Sequence, residues 1–218
     1  MKIGVLFDLD GTLLNTLEDL ADAVNHVLKS YGCPERTVEE VRQFVGNGAE
    51  RLIRLALPGR EDDPPVAEVL DAFRSYYAAH SLVKTAPYAG IMAALQAVGE
   101  KFPVAIVSNK PDAAVKILCA HFFPGIYARG ESVDCPRKPA PDMVTKTMEM
   151  LGVDGCIYVG DSDVDVMTAK NAGVPCLSVL WGFRDRDFIA AAGGCRFCHK
   201  PSQLLENLKQ MTEEYYGK

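Results

Sequence analysis

Lys2-Ile3-Gly4-Val5-Leu6-Phe7-Asp8-Leu9-Asp10-Gly11-Thr12 is the stretch on which the fold turns. Its apolar half shows no polar alternation, the pattern of a strand covered on both faces of a parallel sheet. It stops abruptly at two carboxylates and a glycine, so a buried strand runs into a polar turn. Comparable apolar runs follow at Pro103-Val104-Ala105-Ile106-Val107, Cys156-Ile157-Tyr158-Val159 and Pro175-Cys176-Leu177-Ser178-Val179-Leu180, with helical patterns between them. Strands alternating with helices predict an α/β fold built on a doubly wound, mainly parallel, Rossmann-like sheet.

The first two of these runs are separated by a long stretch that carries only helical signals. Thr16 and Asp19 read as a capping-box-like start, after which Leu20, Val24, Val27, Leu28 and Tyr31 recur at helical spacing until Gly32 ends the run. Thr37 with Glu40 opens a second helix, Gly46-Asn47-Gly48 breaks it, and Leu52, Ile53, Ala56 and Leu57 resume the pattern up to Pro58-Gly59. A fourth helix carries Val69, Leu70, Phe73, Tyr76 and Tyr77. So many helices exceed a single crossover between neighbouring strands. The expectation is an all-helical cap, residues 16–82, inserted into an α/β catalytic core formed by residues 1–15 and 83–218.

Composition narrows the function. With 48% hydrophobic and 24% charged residues in 218, the chain is ordinary globular material. A net charge of -6 supplies no basic footprint for nucleic acid. The apolar run after Met1-Lys2 is too short to span a bilayer and has no cleavage site, so no membrane partner and a cytoplasmic location are expected. Seven cysteines without a signal peptide read as reduced thiols. Cys195-Arg196-Phe197-Cys198-His199 spells the c-type haem attachment motif or half a zinc site. It reads more simply as a short structural strand ending before Pro201, because a structural zinc site needs a second ligand pair and haem attachment needs export.

Open α/β sheets bind ligands at the carboxyl ends of their strands, and the polar clusters lie there. The first strand ends in Asp8 and Asp10, the second in Ser108-Asn109, and a later one in Gly160-Asp161-Ser162-Asp163-Val164-Asp165, while Lys138 sits in the loop Pro136-Arg137-Lys138-Pro139. Taken singly, such an aspartate is often a turn residue, Ser108 a helix cap and Lys138 a solvated surface group. Jointly they deliver carboxylates, a hydroxyl and an ammonium to one sheet edge. Phosphate monoesters suit that set. A carboxylate attacking a phosphate is repelled by it, so a cation must lie between them, and hard oxygen ligands such as Asp8 and Asp161 suit Mg²⁺. Lys138 adds a point charge.

In their order and spacing these four segments resemble the haloacid dehalogenase superfamily, on the branch with a helical cap after the first strand. The resemblance implies that Asp8 is the nucleophile and forms an aspartyl-phosphate. Asp10 then protonates the leaving oxygen and later takes a proton from water, its carbonyl also ligating the metal. Ser108 and the amides near Asn109 hold phosphoryl oxygens, and Lys138 steadies Asp8 and the phosphate. Asp8, Asp10 and Asp161 form the metal site, with Asp165 acting behind them. The segment around Gly46-Asn47-Gly48 resembles that of phosphoglycolate phosphatases. A glycine-rich turn opening a helix presents backbone N–H groups to a small anion such as a substrate carboxylate, although it also serves as a plain interhelical turn.

The expected function is thus Mg²⁺-dependent hydrolysis of a small phosphorylated metabolite, with 2-phosphoglycolate first. A dehalogenase lacks the acid-base residue at the position of Asp10, and a phosphonate hydrolase needs a Schiff-base lysine where only Lys29 is found. A pyrophosphatase or a hexose-phosphate mutase or phosphatase shares the core motifs. A phospho-acceptor signalling module combines similar residues, but with its acceptor on a later strand and with no helical insertion.

Overall fold

The computed structural model describes residues 1–59 and 64–217. The chain divides into two compact units, Met1–Leu14 with Pro87–Lys218, and Asn15–Ala86.

The first unit is an α/β layer structure. Strand β1 (Ile3–Phe7) is buried along its whole length, as its unbroken apolar run requires. Two short strands, β2 (Leu14–Asn15) and β3 (Ala86–Pro87), pair with each other where the chain leaves this unit and returns. After helix α5 (Ile91–Gly99), described below in its place in the core, come β4 (Val104–Pro111), α6 (Asp112–Phe122), β5 (Tyr127–Glu131), α7 (Asp142–Leu151), β6 (Gly155–Gly160), α8 (Asp163–Asn171), β7 (Cys176–Val179), α9 (Arg186–Ala191), β8 (Phe197–Cys198) and α10 (Leu204–Tyr216). The main sheet has the order β5-β4-β1-β6-β7-β8, and every neighbouring pair is parallel. Phe7 lies opposite Ile106 of β4 and Val159 of β6, so the strand ends that carry the polar clusters are level.

Side-chain alternation then fills both faces. Val5, Phe7, Ile106, Ile157 and Val159 join a core with Ile91 and Leu95 of α5 and with Leu204 and Leu208 of α10. Leu6, Val107, Cys156 and Tyr158 point the other way, to Met143 and Val144 of α7 and Ala169 of α8. Full burial of each large apolar side chain contributes about 1.5–3 kcal/mol against solvent exposure. The edge strand β5, Tyr-Ala-Arg-Gly-Glu, has no apolar run because it is buried only at every second residue, which is why its sequence carries little strand signal.

The second unit contains α1 (Leu17–Ser30), α2 (Val38–Phe44), α3 (Ala49–Ala56) and α4 (Val66–His80). Their apolar faces meet in a core of Leu20, Val24, Leu28, Val41, Ile53, Val69 and Phe73, among others. The helix start expected at Thr37 with Glu40 is closed by a capping box. Thr16 occupies the N-cap of α1 but makes no side-chain capping bond. Asp19 is engaged elsewhere: its buried carboxylate accepts the backbone N–H groups of Val83, Lys84 and Thr85 at 2.9–3.1 Å and the Thr85 hydroxyl at 2.8 Å. A carboxylate able to pair with a run of amides takes them in preference to its own helix start. Among the described residues, no helix is long and apolar enough to cross a membrane.

Candidate active site

β1 hands the chain directly into the site. The Asp8 amide still donates to Val159 O at 2.8 Å, continuing the sheet, and the chain then turns at Gly11, where φ is 83°. That conformation favours glycine, and a methyl group at this position would also collide with the Asp161 carboxylate. The close approach brings the ends of β1 and β6 together.

Lys138 is the hub. Its ammonium lies 2.8 Å from Asp8 Oδ1, 2.8 Å from Asp165 Oδ1 and 3.0 Å from the Tyr158 hydroxyl, which matches the three donors of a lysine. Its backbone is clamped by Asn109, whose Nδ2 donates to Lys138 O at 3.1 Å while the Lys138 amide donates to Asn109 Oδ1 at 2.6 Å. The side chain of Asn109 therefore fixes the lysine loop. Asp165 closes the α8 N-terminus: Oδ2 accepts the amides of Asp161 and Ser162 and the Ser162 hydroxyl, while Oδ1 takes Lys138 and the Tyr158 hydroxyl. Asp161 accepts the Thr12 hydroxyl at 3.1 Å on one oxygen and the Phe183 amide at 2.7 Å on the other.

Asp8, Asp161 and Asp165, all buried, each offer a carboxylate oxygen within 4.8 Å of the others. Three carboxylates face one ammonium there, and the consequences appear in their protonation. Burial pushes the Asp8 carboxyl well above its ordinary range, Lys138 opposing and Asp165, Asp161 and Asp10 adding to the rise. Asp161 is pushed up to about 7 by burial and by Asp165, against the hydrogen bonds from Phe183 and Thr12. Burial works against the charge on Lys138, but Asp165 and Asp8 outweigh it and hold the ammonium well above its usual range. An excess of buried anionic oxygen with hard donors is a cluster capable of coordinating a divalent metal ion. Of the three, Asp165 already receives five hydrogen bonds on its two oxygens, so Asp8 and Asp161 are the carboxylates with coordination capacity to spare.

Asp10 belongs to a second cluster. Lys110 Nζ lies 2.7 Å from its Oδ1 and Ser108 Oγ lies 3.4 Å from its Oδ2. Thus Asp8, Asp10, Ser108, Asn109, Lys138, Asp161 and Asp165 converge at the carboxyl ends of β1, β4 and β6. Gly46, Asn47 and Gly48 lie in the other unit, as the turn between α2 and α3, with φ of 123° at Gly46 and 85° at Gly48. Cys198 is buried in β8, its thiol 3.3 Å from Lys200 O, while Cys195 is exposed.

Sequence reasoning missed Tyr158, Lys110, Thr12 and the Trp181-Gly182-Phe183 loop. Trp181 Nε1 donates to Thr12 O at 3.0 Å, and a methyl group at Gly182 would collide with Asp161 and Gly11 O. Only Lys110 had a usable signal, as a cation two residues beyond Ser108 at the end of the same strand.

Comparison with known proteins agrees with this geometry. The sequence pattern of the haloacid dehalogenase-like hydrolases matches residues 5–179. Phosphoglycolate phosphatase 1 of Pseudomonas aeruginosa is 34% identical over 95% of this chain and 77% of its own length. The phosphoglycolate phosphatase of Aquifex aeolicus is 34% identical over 82% of this chain and 85% of its own. A crystal structure of a protein from Lactobacillus delbrueckii subsp. bulgaricus assigned as a phosphoglycolate phosphatase superposes with a TM-score of 0.87 at 34% identity, covering 95% of this chain and 99% of that one. The chain belongs to the haloacid dehalogenase-like hydrolases. Within them it is an enzyme of the phosphoric monoester hydrolase type, closely related to the phosphoglycolate phosphatases, with a buried aspartate cluster consistent with an aspartyl-phosphate mechanism.

Proposed function

We propose that the protein hydrolyses 2-phosphoglycolate with Mg²⁺ as cofactor, passing the phosphoryl group through Asp8. The observation that carries the reading is Asp8 itself, a buried strand-end carboxylate held 2.8 Å from a buried ammonium and grouped with Asp161. Asp8, Asp161 and the Asp10 carbonyl would hold Mg²⁺, which would supply the charge that lets two anions approach. In the first half-reaction an Asp8 oxygen bonds to phosphorus as the ester P–O bond breaks, and Asp10 gives its proton to the departing oxygen. In the second, water bonds to phosphorus, Asp10 takes the water proton, and the Asp8–phosphorus bond breaks to return the carboxylate. Ser108 and the amide at Asn109 bind phosphoryl oxygens. Lys138 balances Asp8 and the phosphate together, while Asp165 keeps Lys138 in place.

The substrate is chosen from the relatives and from the turn at Gly46, Asn47 and Gly48, which we assign to the carboxylate. In support, Gly48 is the N-cap of α3, so the positive end of that helix lies at the turn. A bulky residue at Gly48 should then harm phosphoglycolate turnover more than that of an aryl phosphate. The seven free thiols support a reducing, cytoplasmic setting. The test is phosphate release across a panel of small phosphomonoesters, pyrophosphate and hexose phosphates, with Mg²⁺ and after chelation. The reading requires phosphoglycolate to lead in kcat/KM and chelation to stop turnover. A hexose phosphate in first place would refute the substrate, and a single phosphorylation without continued release would indicate a signalling module.

A further inference from the structure

Ser108 and Lys110 stand near the end of β4, where its register with β5 is irregular, and both side chains reach Asp10. The pair is largely withdrawn from water, with the Lys110 side chain 9% exposed and that of Asp10 14%. A lysine withdrawn to this degree is uncommon unless it is paired, and here the partner is Asp10. The phosphoryl side of the site has its own ammonium in Lys138, whose three donors are matched by Asp8, Asp165 and Tyr158. Lys110 is therefore a second cation, and it ends on the carboxyl group assigned to the leaving oxygen. On the phosphatase reading, that would set it beside the organic part of the substrate.

We propose that Lys110 is a specificity residue that binds a second anionic group of the substrate, namely a carboxylate attached directly to the ester carbon, sharing that group with the turn assigned to it above. The inference rests on the phosphatase reading above and adds a residue that determines its substrate class. To exchange a proton, the Asp10 carboxyl must come within about 3 Å of the ester oxygen. In a phosphorylated 2-hydroxy acid the carboxylate carbon is two bonds from that same oxygen. A group 2.7 Å from an oxygen of Asp10 is consequently within ion-pairing reach of that carboxylate, and out of reach of one several carbons further along. An ammonium has three donors, enough to hold Asp10 and a substrate carboxylate together. Asp10 is then the resting counter-ion, which keeps the cation aimed before substrate arrives.

The experiment compares 2-phosphoglycolate with ethyl phosphate, which has the same two-carbon chain and no carboxylate, in the wild type, Lys110→Met and Lys110→Arg, all with Mg²⁺. The wild type should favour phosphoglycolate in kcat/KM. Lys110→Met should reduce that preference by about 10- to 100-fold, mostly through KM for phosphoglycolate, and Lys110→Arg should restore most of it. Lys110→Gln gives the same readout should Lys110→Met fail to fold. Equal losses on both substrates would make Lys110 only the counter-ion of Asp10 and overturn the inference while leaving the phosphatase reading intact. A wild type that hydrolyses neither ester would overturn the phosphoglycolate reading and with it the inference.

Discussion

Lys138 and Lys110 each meet a carboxylate of the Asp8-Leu9-Asp10 turn, at 2.8 and 2.7 Å, yet their surroundings differ. Lys138 is 2% exposed, matched by three oxygen partners, and clamped through its backbone by Asn109. Lys110 and Asp10 retain some contact with water. The first arrangement is fixed before any ligand arrives and suits the phosphoryl group that every phosphomonoester shares. The second, on the inference above, serves the part of the substrate that varies. Preorganisation and discrimination thus fall on opposite sides of one turn.

The largest effect expected from breaking this contrast is on Asp8. Asp8→Asn should lower kcat by about 10⁴-fold or more, because it removes the proposed nucleophile. Its fold should survive, and the metal-free variant should melt at the same temperature as the wild type or higher, since it relieves repulsion among buried carboxylates. Phosphate release and a thermal melt check both halves. Next is Lys138→Met, which strands Asp8 and Asp165 without their cation and should cost about 3–5 kcal/mol in urea unfolding. Lys110→Met should cost clearly less, because it strands one carboxylate, Asp10, rather than two. Equal destabilisation by the two would erase the distinction.

A pH series sharpens the comparison further. Asp161, pushed up to about 7 by burial and by Asp165, keeps its proton in the folded chain at pH values where the unfolded chain has released it. The folded state then binds more protons between the ordinary carboxylate range and about 7, so metal-free stability should fall as pH rises through that window. Below about 7 the retained proton competes with the metal, so the Mg²⁺ concentration needed for half-activation should climb as pH drops. Saturating Mg²⁺ should flatten the stability profile. A metal-free stability that rises through the same window would show that the carboxylate cluster is not strained by its charge. The smallest effect is at Trp181→Phe, which removes the 3.0 Å bond to Thr12 O and should cost about 1 kcal/mol, with a modest rise in the Mg²⁺ requirement.

How much of this was legible in the sequence follows from what each residue does locally. Strand ends announce themselves, because an apolar run that stops at Asp8, Ser108 or Asp161 changes character within one residue. The helices of the insertion were readable from their spacing, as was the helix start at Thr37 with Glu40. Tyr158 was not: inside Cys156-Ile157-Tyr158-Val159 it reads as strand filling, and only the fold points its hydroxyl at Lys138 and Asp165. Asp19 misled for the same reason, since its partners at Val83, Lys84 and Thr85 are remote in sequence. Asn109 was expected near phosphate through the backbone amides around it, and the clamp its side chain puts on the Lys138 backbone had no sign in the sequence. The Trp181-Gly182-Phe183 loop carries no chemistry of its own and acquires its meaning from Asp161 and Thr12.

The central claim is a covalent phosphoryl group on Asp8, and trapping it is the most direct measurement. The enzyme is quenched during turnover of phosphoglycolate with Mg²⁺, reduced with borohydride, digested and sequenced by mass spectrometry. The account predicts homoserine at position 8, dependent on both substrate and Mg²⁺ and absent without either. Reduction at a different carboxylate, or none at position 8 while phosphate is being released, would contradict it.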